Sequence, residues 1–439
     1  MSRLDRLAKL GWLGSRIAGS TAVQRVRGVL ADREPHLRDA SRTRQLLANA
    51  EQVVETLGQL KGAAMKVGQA IAAASVNLDL PEEVQSALSR LNDRAQPVPF
   101  AEVRRILEAE LGAPIAQRFA WFDPAPLGTA SLAQAHAARL PDGREVVVKV
   151  QHAGVAESVS TDLSAMKAIV LAGRMFGRDR SELDEAFAEL EARLREELDY
   201  VAEADNLTLF AALYGDDPRV IIPRPHREWC TVRVLTMDRV DGVPLSEFIR
   251  TASPDARQRA GHTLAALFFE MAFRHRVLHA DPHPGNYLFQ PDGTVGILDF
   301  GCVKRFEGDW IASYAGAVLA ALDGDRQGCL DACRAVGAWV GDTPEAGDAI
   351  WEFCDTLVAP WREGAYTIGG GDDTLMERLQ APAMRMWPHR EIRGPRHVLF
   401  LHRTLGGLYA MARQLTVRGE WGALVREHTT RAVARVGEA

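Results

Sequence analysis

Between Asn286 and Asp299 the chain reads NYLFQPDGTVGILD, two short apolar runs around Pro291-Asp292-Gly293-Thr294. Proline fixes φ and glycine permits positive φ, so the pattern predicts a tight hairpin. A hairpin this short brings its two ends together, and those ends are a carboxamide, Asn286, and a carboxylate, Asp299. Hard oxygens converging on one point suit Mg²⁺, which takes one or two protein oxygens together with phosphate oxygens. Asp281 precedes Asn286 by five residues, on the lead into the hairpin. It adds a carboxylate beside the metal pair, the arrangement that phosphoryl transfer needs. Asp and Asn also cap turns, and that bland alternative stays open. The spacing Asp-x4-Asn, then thirteen residues to Asp-Phe-Gly, favours the chemical reading. His279 and His283 flank Asp281 as His-x-Asp-x-His, a pattern that also suits a transition metal. No further ligand cluster joins them, and a bracing role for the histidine before the Asp is expected.

A second constraint lies upstream. The strand-like run EVVVKV is β-branched almost throughout, and Lys149 is its only cation. A lone ammonium in a buried strand needs an anion, either a phosphate or a carboxylate. A long helix is expected over about 181–211, with Leu183, Phe187, Leu190, Leu194, Leu198 and Val201 as its apolar stripe. Glu197 lies close to that stripe and is the expected partner of Lys149. The small-residue run PLGTAS (126–131) reads as a loop between strands, where Gly128, Thr129, Ala130 and Ser131 would let backbone N–H groups approach a phosphate. It is neither Gly-x-Gly-x-x-Gly nor a Walker loop, and an ordinary small-residue turn explains it equally well.

The 439 residues suffice for two or three domains, and at 47% hydrophobic and 25% charged they are ordinary for a folded chain. A net charge of −6 argues against nucleic-acid binding. Residues 1–44 carry ten Lys/Arg against four Asp/Glu. That arm could touch an anionic membrane or simply be a solvated Arg-rich helix. Helices are expected through 1–115 and a β-rich segment from about 119, with a turn at Pro141-Asp142-Gly143. TVRVLTMDRVDGVPL reads as a further strand, and mainly helix is expected from Ser253-Pro254-Asp255 onward. Cys230, Cys302, Cys329, Cys333 and Cys354 form no Cys-x-x-Cys pair, which argues against a disulfide framework or a zinc site and fits a reducing cytoplasm. Cys329 and Cys333 are read as core residues. No run of apolar residues is long enough to span a membrane, so any membrane association is expected to be peripheral.

Together these pieces resemble the protein-kinase-like fold, and most closely the UbiB/AarF family of atypical kinases, also called the coenzyme-Q kinase-like family. MKVGQA resembles its Lys-x-Gly-Gln signature at Lys66, Gly68 and Gln69. EELDYVAEADN resembles its Glu-x-Asp signature at Glu197 and Asp199, with Glu203 and Asn206 downstream. The resemblance implies an α+β, two-lobed fold: an N-terminal helical extension (1–115), a small β-rich N-lobe (116–240) and a helical C-lobe (241–439). It implies ATP and Mg²⁺ as cofactors, with Lys149 on the α/β phosphates and Glu197 holding it. Asn286 and Asp299 would ligate the metal, and Asp281 would orient or deprotonate the acceptor. The strand end from Met237 to Val240 would present backbone to adenine. Lys66 and Gln69 would reach the nucleotide from the extension. Asp199 and Glu203, spaced i, i+4, make sense only near a cation. The family's loop is alanine-rich, so Gly128 and Thr129 are departures that bear on nucleotide preference and transfer.

No Ala-Pro-Glu follows Asp-Phe-Gly, and the chain runs quickly into helix, which disfavours a peptide acceptor. The expected activity is ATP hydrolysis or phosphotransfer to a small, lipid-like acceptor such as a quinone precursor, a link that comes from the family. Two alternatives are a small-molecule phosphotransferase of the aminoglycoside or choline kinase type, and a non-enzymatic nucleotide-binding scaffold.

Overall fold

The computed structural model describes residues 97–434, apart from 131, 158, 161–162, 165–166, 168–186, 189–190, 193 and 363. In chain order the elements that matter here are α1 (Phe100–Leu111), α2 (Ile115–Arg118), β1 (Trp121–Thr129), β2 (Ala133–Arg139), β3 (Glu145–Gln151), α3 (Tyr200–Tyr214), β4 (Val220–Ile221) and β5 (Val234–Asp238). They continue with α4 (Leu245–Thr251), α5 (Pro254–Phe269), β6 (Val277–His279), β7 (Tyr287–Phe289), β8 (Val295–Ile297) and β9 (Val303–Arg305). The remainder is α6 (Gly308–Asp323), α7 (Arg326–Ala335), α8 (Pro344–Arg362), β10 (Tyr366–Ile368), α9 (Leu375–Met386), α10 (Arg396–Leu415), β11 (Val417–Gly419) and α11 (Trp421–Ala434). Contacts divide them into two compact units, one running to Asp205 with Pro225–Arg239, the other comprising Asn206–Arg224 and Val240 onward.

The first unit is built on an antiparallel sheet of order β1-β2-β3-β5. Side chains alternate across it, as the pleat requires. Val146, Val148 and Val150 of β3 are buried in one core with Val103, Ile106, Leu107 and Leu111 of α1. Those four α1 residues recur at helical spacing, and Gly112 ends the helix in the left-handed region at φ 66°. The helix therefore belongs to the sheet's own core, although its sequence had been grouped with the N-terminal extension. Lys149, odd-numbered on β3, lies on the opposite face of the sheet from those valines.

In the second unit Ser253 caps α5, its hydroxyl accepting from the Ala256 N–H at 3.1 Å, with Pro254 in the first turn. The helix widens into a π-turn over Glu270–His275, reverses at Arg276 (φ 57°) and delivers the chain to β6. Strand β7 pairs antiparallel with β8 through Tyr287–Ile297, Leu288–Gly296 and Phe289–Val295, β4 adds parallel to β8, and β6 pairs with β9. From α6 onward the unit is helical except for the small β10–β11 pair. Among the described residues no helix is long and apolar enough to cross a membrane.

Candidate active site

In the β-rich unit the site starts from Gln151. It shares a face of β3 with Lys149, and its carboxamide donates to the carbonyls of Leu198 (2.7 Å) and Val232 (3.1 Å). Those bonds fix the chain where helix breaks at Leu198 and Asp199. Asp199 then caps α3, accepting from the N–H groups of Val201 (3.1 Å) and Ala202 (3.0 Å). One turn later Glu203, 3% exposed, places Oε1 at 2.7 Å from Lys149 Nζ, 14% exposed. The carboxylate that the structure sets on Lys149 is thus that of Glu203, where Glu197 had been expected. The continuous helix expected over 181–211 is interrupted, and the restart shifts its phase. Val201, expected on the apolar stripe, is 42% exposed, and Asp199 is an exposed cap.

The small-residue loop is also shorter than its sequence suggests. Gly128 and Thr129 are strand residues, in register with Ala135 and Gln134. The tip is a tight turn in which the Ala130 N–H donates to the Ala133 carbonyl at 2.8 Å. His152 holds that tip, with its ring Nε2 3.2 Å from the Ala130 carbonyl. A Cβ added at Gly128 would meet nothing within 4 Å. Met237 sits inside β5, in register with Val147 and bridged on its other side to Pro225. Val240 is buried and belongs to the second unit. Lys66, Gly68, Gln69 and Ser131 lie outside the described residues.

In the helical unit the hairpin closes as its sequence dictates. Gly293 turns at φ 95°, its N–H donates to Gln290 at 2.9 Å, and the Leu298 N–H donates to the Asn286 carbonyl at 2.9 Å. Asn286 and the residue before Asp299 are therefore directly bonded across the hairpin mouth. The Asn286 carboxamide N–H₂ donates to Asp281 Oδ2 at 2.8 Å and to the Asp281 carbonyl at 3.2 Å. With its donor side spent there, the atom that Asn286 offers a cation is its carbonyl oxygen. Asp299 Oδ1 accepts from the Gly301 N–H at 3.1 Å. An acceptor-only set of one carboxamide oxygen and one carboxylate fits Mg²⁺, and no soft donor accompanies it.

His279 explains how Asp299 is held. It is 2% exposed, its Nε2 lies 2.5 Å from the Asp299 carbonyl, and its Nδ1 lies 3.3 Å from the Tyr287 hydroxyl. Burial, with Asp281 nearby, pushes the Tyr287 phenol far above its usual range, so it stays protonated and donates. Nδ1 is then the acceptor, and Nε2–H donates to the carbonyl, which fixes the neutral tautomer from the network. Both ring nitrogens are engaged, so His279 braces the loop and does not ligate a metal. His283 Nδ1 accepts from the Gly285 N–H at 3.1 Å.

Two supporting residues on α10, Arg403 and Gly407, carried no sequence signal. The Arg403 guanidinium on α10 donates to the Ala280 carbonyl. A Cβ on Gly407, one helical turn further, would overlap the ring of Pro282, so glycine is what lets α10 reach the loop. Asn206 donates to the Phe300 carbonyl at 2.9 Å, and Phe300, fully buried, packs on Phe210 with ring centroids 4.7 Å apart. Beyond Gly301 the chain passes through β9 directly into α6.

Comparison with known proteins agrees with this architecture. Residues 90–333 match the family described as the ABC1 atypical kinase-like domain. Over 429 residues the chain is 27% identical to the atypical kinase COQ8, mitochondrial, of Saccharomyces cerevisiae, covering 97% of this chain and 84% of that one. It is 31% identical over 376 residues to the atypical kinase COQ8B, mitochondrial, of Rattus norvegicus, covering 84% and 69%. A solved structure described as the complex of Rv3197 with erythromycin, from Mycobacterium tuberculosis, shares 28% identity with a TM-score of 0.64, covering 90% of this chain and 99% of that one. A β-rich unit with a buried Lys–Glu pair, a hairpin closed by Asn and Asp-Phe-Gly, and a family match over more than half the chain place it in the ABC1, or UbiB/AarF, family of atypical kinases, with an α+β protein-kinase-like fold.

Proposed function

We propose that this chain binds Mg-ATP and either hydrolyses it or transfers its γ-phosphoryl group to a small, lipid-like acceptor. The observation that supports it best is the Asp281–Asn286 bond at the mouth of the hairpin that ends at Asp299. That bond keeps a carboxylate oriented beside two oxygen donors. In this reading Lys149, held by Glu203, contacts the α/β phosphates, and Asn286 and Asp299 hold Mg²⁺. The metal, when bound, neutralises charge on the phosphates. Asp281 accepts the proton of the attacking hydroxyl or water. The direct run from Gly301 to α6 leaves little chain for docking a peptide, which favours a non-peptide acceptor. The erythromycin complex of the similar Mycobacterium tuberculosis protein is in keeping with this. The tie to isoprenoid-quinone metabolism comes from the relatives' family and not from any residue of this site.

The test is an ATPase assay with and without liposomes and quinone-precursor mimics. Asp281→Asn should lower the rate by about 10²–10⁴-fold, the usual contribution of a positioned base. Asp299→Asn should abolish the Mg²⁺-dependent thermal shift given by ATP, and an unchanged shift refutes the ligand role. Lys66→Ala should alter turnover or acceptor choice more than folding. Removing residues 1–44 should weaken sedimentation with anionic liposomes, and equal sedimentation removes that arm from any membrane role.

A further inference from the structure

Between α7 and α8 of the helical unit, three thiols meet. Cys329 and Cys333 stand one turn apart on α7, and Cys354 comes from α8. All three sulfur atoms lie within 4.8 Å of one another. Cys329 and Cys333 are 0% and 7% exposed, and Cys354 is half-buried, so the cluster sits largely inside the helical unit. Around it stand Tyr314 of α6 and His402 of α10, with His402 Nε2 3.0 Å from the Tyr314 hydroxyl. Burial lowers the His402 pKa, so the imidazole next to the thiols is neutral.

Sequence reading had set Cys329 and Cys333 down as core residues and argued against a zinc site. It had no means of placing Cys354, on another helix, beside them. Core packing would be served by any small apolar residues. Three sulfurs around one point satisfy a more particular geometry. With Zn–S near 2.3 Å, three sulfurs on one ion stand about 3.8–4.0 Å apart. Shifts of about half an ångström, within side-chain rotation, would take the cluster there from its present limit.

We propose that Cys329, Cys333 and Cys354 form a soft-metal site that takes one Zn²⁺ ion through three thiolates. On binding, three S–H groups release three protons to solvent, and the ion gives up five of its six waters for three Zn–S bonds. The group then carries a net charge of −1, against −2 for Cu⁺ in the same trio, which favours the divalent ion in a buried setting. One retained water would complete the tetrahedron. The ion would bridge α7 and α8.

The full chain, purified under a phosphine reductant and stripped with chelator, should take up one equivalent of Zn²⁺ in competition with a chromophoric chelator. Cd²⁺ should give sulfur-to-metal charge-transfer absorption. Cys333→Ser and Cys354→Ser should each weaken Zn²⁺ binding by more than about 100-fold, beyond the 10–100-fold that loss of a supporting hydrogen bond costs. Cys230→Ser, on the other unit, should leave it unchanged. Should the serine variants fail to fold, X-ray absorption at the zinc edge of wild-type protein decides the matter, with three sulfur ligands expected. Fewer than three sulfurs, equal uptake by wild type and folded serine variants, tighter retention of Cu⁺ than Zn²⁺, or a disulfide with no metal retained each overturn the proposal.

Discussion

At Lys149 the sequence identified the ammonium and the carboxylate-bearing segment, yet chose a residue six positions early. Helical phase carried across Leu198 pointed Glu197 inward, but Asp199 restarts the helix and Glu203 takes the place at 2.7 Å. The signal was present, since an Asp followed by Tyr-Val-Ala-Glu is a helix N-cap in its own right. The two residues separate experimentally. Glu203→Gln removes the charge paired with a part-buried ammonium and should cost about 3 kcal/mol in urea unfolding. Asp199→Ala removes only the cap and should cost about 1 kcal/mol. Equal losses would deny the ion pair its role. His279 is the opposite case, a residue whose metal-like spacing gives way to a brace once both ring nitrogens find partners.

Elements differ in how local their information is. The β7–β8 hairpin was legible because Pro291-Asp292-Gly293-Thr294 encodes its own turn. The strand character of Gly128 and Thr129 was not, because it comes from pairing with β2 and not from their own propensity. Least legible was α10, which supports the Asp281 loop from more than a hundred residues away through Arg403 and Gly407. A larger side chain at Gly407 must push Pro282, and Asp281 precedes Pro282 in the chain. Gly407→Leu should therefore lower kcat by about 10²-fold, the cost of a displacement near 1 Å at a reacting group. ATP affinity, which the proposed function rests on Lys149 and Asp299, should change much less. A fall in affinity that matches the fall in kcat would show that α10 supports more than the loop.

For the whole molecule, pH dependence follows from buried imidazoles. His136 in the β-rich unit, and His402 and His428 in the helical one, all have pKa values lowered by burial. In each case the unfolded chain binds the proton at about pH 6.5 and the folded chain only below that. The unfolded state therefore holds more protons as pH falls, and stability is complete above about 6.5 and lost below it. Thermal midpoints should fall between pH 7.5 and 5.5, and a flat or rising midpoint would remove these groups from the balance. The strand at Lys149 was legible because EVVVKV is β-branched almost throughout, a composition that suits a pleated, buried surface.

The passage from Gly301 through β9 to α6 bears on how such an enzyme is governed. From Cys302 to Ala312 it holds no serine, threonine or tyrosine. The hydroxyl phosphorylation that would order such a segment through new arginine pairs therefore has no acceptor between Cys302 and Ala312.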